Sequence, residues 1–169
     1  LACNYARKHK MPYFGICLGM QIAVIEYMQN VVGLKSANST EFDEKAKDPV
    51  IDYLPEQYKN ISLIGTMRLG LYDCKIKKDT RAYHAYQKTE IKERHRNNYE
   101  LNNQYLEVLE KSGMIASGIN PQTNLVEIVE IVDHPWFVAC QFHPEFLSRP
   151  QRAHPLFVGF LEACIKKQK

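Results

Sequence analysis

The chain has 169 residues, 45% of them hydrophobic and 24% charged, a balance that supports a folded core and excludes an intrinsically disordered segment. Its 22 Lys and Arg against 19 Asp and Glu leave a formal net charge of +3, too small to call for nucleic acid or an anionic membrane as partner. No apolar run reaches the ~20 residues of a membrane-spanning helix.

Five cysteines, at positions 3, 17, 74, 140 and 164, form no Cys-x-x-Cys pair. That spacing predicts neither a disulfide framework nor a zinc site and fits a reducing, cytoplasmic compartment. The first residues carry neither an initiating Met nor the apolar stretch of a signal peptide, so the chain is expected to begin inside a longer polypeptide.

Taken in order, Ala2 to Lys10 reads as the end of a helix, with Arg7, Lys8 and Lys10 where the helix dipole favours cations, and Pro12 stops it. Tyr13 to Ile16 is short, apolar and flanked by breakers, as a buried strand is. From Leu18 the spacing of Met20, Val24, Ile25, Met28 and Val32 predicts a helix that ends at Gly33. Residues 34–60 are polar and predict mostly loop, with a short strand near Val50 to Tyr53. Ile61 to Ile76 holds β-type stretches interrupted by Gly65 and Gly70. The basic stretch Lys75 to Lys78 and the cluster from Lys88 to Arg96 are interleaved with acids and predict a solvated or domain-facing surface.

Asn102 to Ser112 predicts a helix capped by Asn102, with Leu106 and Leu109 inward, Glu107 and Lys111 paired, and Gly113 as its end. Met114 to Ile119, Leu125 to Val132 and Trp136 to Phe142 predict three strands. Pro155 to Lys167 predicts a closing amphipathic helix with Leu156, Phe160, Leu161 and Cys164 inward. Strands mixed with helices give an α/β layered domain.

Two constellations can carry chemistry. Gly15-Ile16-Cys17-Leu18-Gly19 sits where the strand turns into the helix. A nucleophile there is held strained and projecting, and the flanking glycines let strand and helix approach. The helix N-terminus is expected to lower the Cys17 thiol pKa. The bland reading is a small buried cysteine between tolerated glycines. His143 and Glu145, two apart around Pro144 at a strand end, can hydrogen-bond if the chain stays extended. The carboxylate then fixes the imidazole tautomer and leaves the second nitrogen to exchange a proton with a nucleophile. Alone this pair reads as a solvent-facing loop; with a cysteine far upstream it has the form of a thiol catalyst. Cys140 belongs to an apolar run and reads as core, Cys3, Cys74 and Cys164 lack an acid or His partner pattern, and the remaining histidines lack metal-ligand spacing.

The segment Pro12 to Gln21 resembles the nucleophile segment of the class I (triad) glutamine amidotransferases. Asn38 to Phe42, Gly65 to Gly70, Glu93 to Arg96 and His134 to Phe146 narrow the resemblance to the amidotransferase domain of the CTP synthases, over residues 1–162. The resemblance implies a three-layer fold around a central, mostly parallel sheet, with the N-terminal part of the domain and an ATP-using synthetase domain absent from residues 1–169. It implies a triad of Cys17, His143 and Glu145, and glutamine contacts from Leu18, Gly19, Met20, Gln21 and Glu41. Where the family reads Glu-Arg-His-Arg-His-Arg-Tyr-Glu, this chain has Glu93 to Glu100 with Asn98 at the third Arg, so a guanidinium contact to glutamine would be lost. A glycine loop upstream of residue 1 is expected to complete the oxyanion hole.

The implied activity is glutamine hydrolysis through a cysteine thioester, with the ammonia used to aminate UTP to CTP. No cofactor or metal is expected in this domain; ATP and Mg are expected in the synthetase domain, GTP as effector, and a tetramer for the full-length protein. A γ-glutamyl peptidase, a non-catalytic binding domain and the glutaminase of another class I amidotransferase stay open as alternatives.

Overall fold

The computed structural model describes residues 1–53 and 67–168. Helix α1 (Ala2–Lys8) leads into β1 (Tyr13–Ile16), which turns at one residue into α2 (Leu18–Tyr27). A π-helical segment, Met28–Val32, continues α2 to Gly33, whose φ of +89° ends it where the sequence predicts. Then follow β2 (Ala37–Ser39), β3 (Asp48–Tyr53), β4 (Arg68–Ile76), α3 (Arg81–Tyr86), β5 (Glu90–Asn97) and β6 (Tyr99–Leu101). A 3-10 turn (Asn103–Tyr105) precedes α4 (Leu106–Lys111), and β7 (Met114–Ile119), β8 (Val126–Ile131), β9 (Phe137–Cys140) and α5 (Pro155–Gln168) complete the chain.

Among the described residues six strands form one sheet in the order β1-β9-β8-β7-β4-β5, and β2-β3-β6 form a small second one. Strands β8 and β9 of the large sheet are buried on both faces. Along β9, Phe137 and Ala139 join the cluster of Cys3, Ala6, Met20, Ala23 and Val24 under α1 and α2. Val138 and Cys140 point the other way, into a cluster with Ala82 of α3 and Leu156 of α5. Period-two alternation thus fills two cores from one strand, and all four side chains are fully buried. The α/β three-layer class is the one expected.

The strand directions correct the expected parallel majority. Among the described strands of the large sheet only β1 and β9 run parallel; β9-β8, β8-β7, β7-β4 and β4-β5 are antiparallel. The reason lies in the connections: β7, β8 and β9 follow one another through short turns, which reverse the chain, whereas parallel neighbours need a crossover.

Other expectations shift in detail. β2, α3, β5 and β6 lie where the sequence predicts no regular element: β2, α3 and β6 are only three to six residues long, and β5 is rich in charged side chains. Gly70 does not interrupt β4 but pairs with His95 inside it at a φ of +111°; Gly65 lies outside the described residues. Leu161, expected inward, is 59% exposed, while Leu156 is buried and Phe160 and Ala163 pack against the core. Asn102 does cap its helical segment, accepting from the Gln104 N–H at 3.1 Å, and Glu107 does pair with Lys111. The basic side chains of β5, Lys92, Arg94 and Arg96, are exposed, but Glu93, His95 and Asn97 between them are buried.

Candidate active site

Cys17 is the whole connection between β1 and α2. Its φ of +51° and ψ of −107° are a conformation that a residue with a side chain adopts only when its surroundings impose it. They do so by hydrogen bonds. The Cys17 N–H donates to the Cys140 carbonyl at 2.8 Å, and the Cys17 carbonyl accepts from the N–H groups of Met20 and Gln21 at 3.0 and 3.2 Å. Gly15 is required for the close approach: a Cβ there would stand 2.7 Å from the Gly19 carbonyl oxygen. Gly19 is not required in this way, since its Cβ would meet only the Tyr13 hydroxyl, at 3.7 Å.

The Cys17 sulfur is half-buried. The Gln141 side-chain amide donates to it at 3.5 Å, and the Arg96 carbonyl oxygen lies 4.0 Å away. Burial pushes the thiol pKa up, the Leu18 N–H opposes this, and the carboxylates of Glu100, Glu41 and Glu145 add to the rise. The expected lowering by the helix N-terminus is therefore outweighed: one backbone dipole works against desolvation and three negative charges.

β1 and β9 are parallel neighbours with Ile16 opposite Cys140, so Cys17 and the segment Gln141 to His143 leave the same end of the pair. Edge strand β5 spans both. Its Arg94 carbonyl accepts the His143 N–H at 2.8 Å, while its Arg96 carbonyl faces the Cys17 sulfur, two residues and about 7 Å further along the strand. The His143 Nδ1 is 2.6 Å from the Glu145 carboxylate, and the ring stacks on Phe146 at 5.0 Å between centroids. The pair forms as expected but not for the expected reason: Pro144–Phe146 is a 3-10 turn that folds Glu145 back, not an extended segment. A proton on Nδ1 shared with Glu145 leaves Nε2 for proton exchange.

The predicted glutamine contacts divide. Leu18 is 47% exposed at the start of α2, with Gly19 beside it half-buried. Met20 is fully buried in the core, so only its backbone can meet a ligand. Gln21 is buried, and its amide nitrogen already donates to the Tyr99 carbonyl at 3.1 Å and to the Gln141 side-chain oxygen at 3.2 Å. Glu41 is exposed in the turn after β2, its N–H donating to the Ser39 hydroxyl at 3.1 Å. Its charge acts on both Cys17 and Tyr99, which puts it on the same side of the domain. A separate concavity of about 600 Å³, lined by Glu93, Arg152 and His154 among others, includes neither Cys17 nor His143.

The profile of the family described as glutamine amidotransferase class-I matches residues 1–163. The chain belongs to the class I glutamine amidotransferases. Over 165 residues it is 56% identical to the CTP synthase of Treponema denticola, covering 98% of this chain and 31% of that protein. To the CTP synthase of Clostridium acetobutylicum it is 56% identical over 169 residues, covering 99% of this chain and 32% of that one. The chain thus spans about a third of the relatives it matches. The glutaminase domain of a Trypanosoma brucei CTP synthase, solved with bound acivicin, superposes with a TM-score of 0.91 at 37% identity, covering 98% of this chain and 64% of that one. A putative GMP synthase component of Thermoplasma acidophilum, 16% identical with a TM-score of 0.60, covering 99% of this chain and 64% of that one, shares the fold alone.

In this amidotransferase a buried charge network underlies the site. Arg68 of β4 donates to Glu100 at 3.1 Å and to Glu127 of β8, with its guanidinium 4.3 Å from the Tyr72 ring centre. His95 Nε2 lies 2.9 Å from the second Glu127 oxygen, out of line for a hydrogen bond. Asn97 donates to Glu100 at 2.6 Å and to the Tyr99 carbonyl at 3.0 Å. The network fixes the stretch from Arg96 to Tyr99, whose carbonyls face Cys17 and Gln21. Asn98 stands in that stretch with its side-chain oxygen buried and unpartnered among the described residues.

Sequence reasoning assigned no role to Gln141, Arg68, Asn97 or the carbonyls of Arg96 and Tyr99. For Gln141 a signal existed: it lies two residues before His143, on the same side of an extended strand, as a polar residue at the end of an apolar run. For the carbonyls there was none, because backbone atoms carry no residue identity.

Proposed function

We propose that this domain hydrolyses glutamine through a γ-glutamyl thioester on Cys17, and that the whole protein passes the ammonia to a synthetase domain that aminates UTP to CTP. The observation that carries the reading is a lone, strained Cys17 at the end of a parallel strand pair, with the His143–Glu145 pair leaving the same end. The identity to CTP synthases over nearly the whole chain supports the second half.

With the thiol pushed up, Cys17 rests protonated, and attack on the glutamine side-chain amide carbon passes its proton to His143 Nε2. Glu145 on Nδ1 holds the ring and offsets the imidazolium charge that forms. The tetrahedral oxyanion takes a hydrogen bond from the Leu18 N–H and a second from residues outside this chain; one such donor is worth ~3 kcal/mol of transition-state stabilisation. His143 returns its proton to the departing nitrogen, which leaves as ammonia. It then removes a proton from water, the hydroxide adds to the thioester, and glutamate and the Cys17 thiol are released.

Glu41 supplies the negative charge that glutamine's α-ammonium needs, and the backbone of Leu18 to Gln21 flanks the substrate. ATP, Mg and GTP act on the rest of the protein, as in the synthetase reaction and its control, in a cytoplasmic enzyme that assembles as a tetramer. Residues 1–169 constitute part of the amidotransferase domain in this reading.

In the intact polypeptide, Cys17→Ala should abolish glutamine-dependent CTP formation and leave ammonia-dependent formation unchanged. Continued glutamine hydrolysis by that variant would overturn the assignment of the nucleophile.

A further inference from the structure

Gln141 is fully buried, yet its side chain ends on the reacting atom of the proposed site. We propose that Gln141 is a further catalytic residue, whose amide N–H donates to the Cys17 sulfur and stabilises it as nucleophile, with Gln21 fixing the direction of that donation. The inference rests on the reading of Cys17 as the glutaminase nucleophile.

The direction follows from donor and acceptor inventory. The Tyr99 carbonyl only accepts, so the Gln21 amide must turn its NH2 towards it, at 3.1 Å. That same NH2 lies 3.2 Å from Gln141 and needs an acceptor there, so Gln141 must present its oxygen to Gln21. Its NH2 is then left facing the sulfur at 3.5 Å. Asn97, itself tied to Glu100, also donates to the Tyr99 carbonyl at 3.0 Å and holds the anchor in place. The relay runs from a backbone carbonyl to the nucleophile through two buried amides with no freedom to flip.

The donation matters because of what else surrounds Cys17. Glu100 of β6, Glu41 after β2 and Glu145 after β9 are negative, and the Arg96 carbonyl presents a partial negative charge at 4.0 Å. Among the described residues no cation is seen acting on the sulfur, and in the proposed reaction His143, which leaves the same end of the strand pair, must serve as base. An amide N–H adds a donor that strengthens as negative charge builds on sulfur and never has to give up a proton.

The test is the pH profile of Cys17 alkylation by iodoacetamide, read by mass spectrometry of the Cys17 peptide in the intact polypeptide, with circular dichroism and thermal unfolding reporting the fold. Gln141→Met removes the donor at similar volume and should raise the midpoint by about one unit, so that Cys17 alkylates about tenfold more slowly at neutral pH. Gln21→Met leaves Gln141 intact but removes the donor that fixes its oxygen, so the Gln141 amide is free to turn and the midpoint should rise by a smaller amount. If Gln141→Met does not fold, Gln21→Met decides alone. Midpoints equal to the parent in the folded variants would overturn the inference even if the parent hydrolyses glutamine normally. Shifted midpoints in a protein that does not hydrolyse glutamine would uphold the amide–sulfur contact and overturn the proposed function instead.

Discussion

The single-residue turn at Cys17 depends on one missing methyl group, at Gly15. An ideal Cβ at that position would lie 2.7 Å from the Gly19 carbonyl oxygen, 2.8 Å from its carbon and 2.9 Å from a Tyr13 ring carbon. Two of these three atoms are backbone of the first turn of α2, so no rotamer change relieves the contact. Gly15→Ala must push the start of α2 away from β1 by roughly half an ångström, at an overpacking cost of about 1–3 kcal/mol. The Tyr13 hydroxyl bond to the Gly19 carbonyl, 2.7 Å long, spans the same gap and is strained with it. The displaced turn carries the Leu18 N–H, and moving an oxyanion donor by that much should lower glutamine-dependent kcat by about a hundredfold. Gly19→Ala is the control, because its Cβ meets only the Tyr13 hydroxyl at 3.7 Å and should leave thermal stability equal or up to ~1 kcal/mol better. Thermal unfolding and glutamine-dependent and ammonia-dependent rates on both variants separate the effects. Parent-like stability and glutaminase rate in Gly15→Ala would refute the argument.

Arg68→Met strands the Glu100 and Glu127 carboxylates in the interior and should cost about 3–5 kcal/mol in urea unfolding. Gln at both carboxylate positions should recover part of this. Glu26 clamps α1 to α2: burial works against its carboxylate, but hydrogen bonds from Arg7 at 2.9 and 2.6 Å and from Asn4 at 2.7 Å outweigh that and hold its pKa below the ordinary value. A depressed carboxyl stabilises the fold above its unfolded pKa of about 4.3, and that stability is lost as pH falls through the lower folded value. Glu26→Gln should therefore lower stability at neutral pH and flatten the acid limb of a stability–pH curve; an unchanged limb would refute it.

What the sequence made legible follows from which physics is local. Tyr13 to Ile16, Met114 to Ile119 and the start of α5 at Pro155 match the observed elements, because apolar runs and breakers declare themselves within a few residues. β5 is not legible because Glu93, His95 and Asn97 are polar yet buried, and their partners His154, Glu127 and Glu100 come from other elements. Sheet direction was misjudged from resemblance, although the short turns between β7, β8 and β9 were visible.

The candidate site was legible in its side chains and illegible in its electrostatics. Cys17, His143 and Glu145 stand out as residue types at suggestive positions. The direction of the Cys17 shift depends on burial and on Glu100 and Glu41, whose proximity no spacing reveals. Gly15 and Gly19 look equivalent in the motif, and only the packing separates them.

Acid quenching of the intact polypeptide during turnover with glutamine, followed by peptide mass spectrometry, tests the central claim most directly. A γ-glutamyl group on the peptide containing Cys17, absent from Cys17→Ala, is the predicted result. Steady glutamine hydrolysis with that group on the Cys140 or Cys164 peptide would contradict the account.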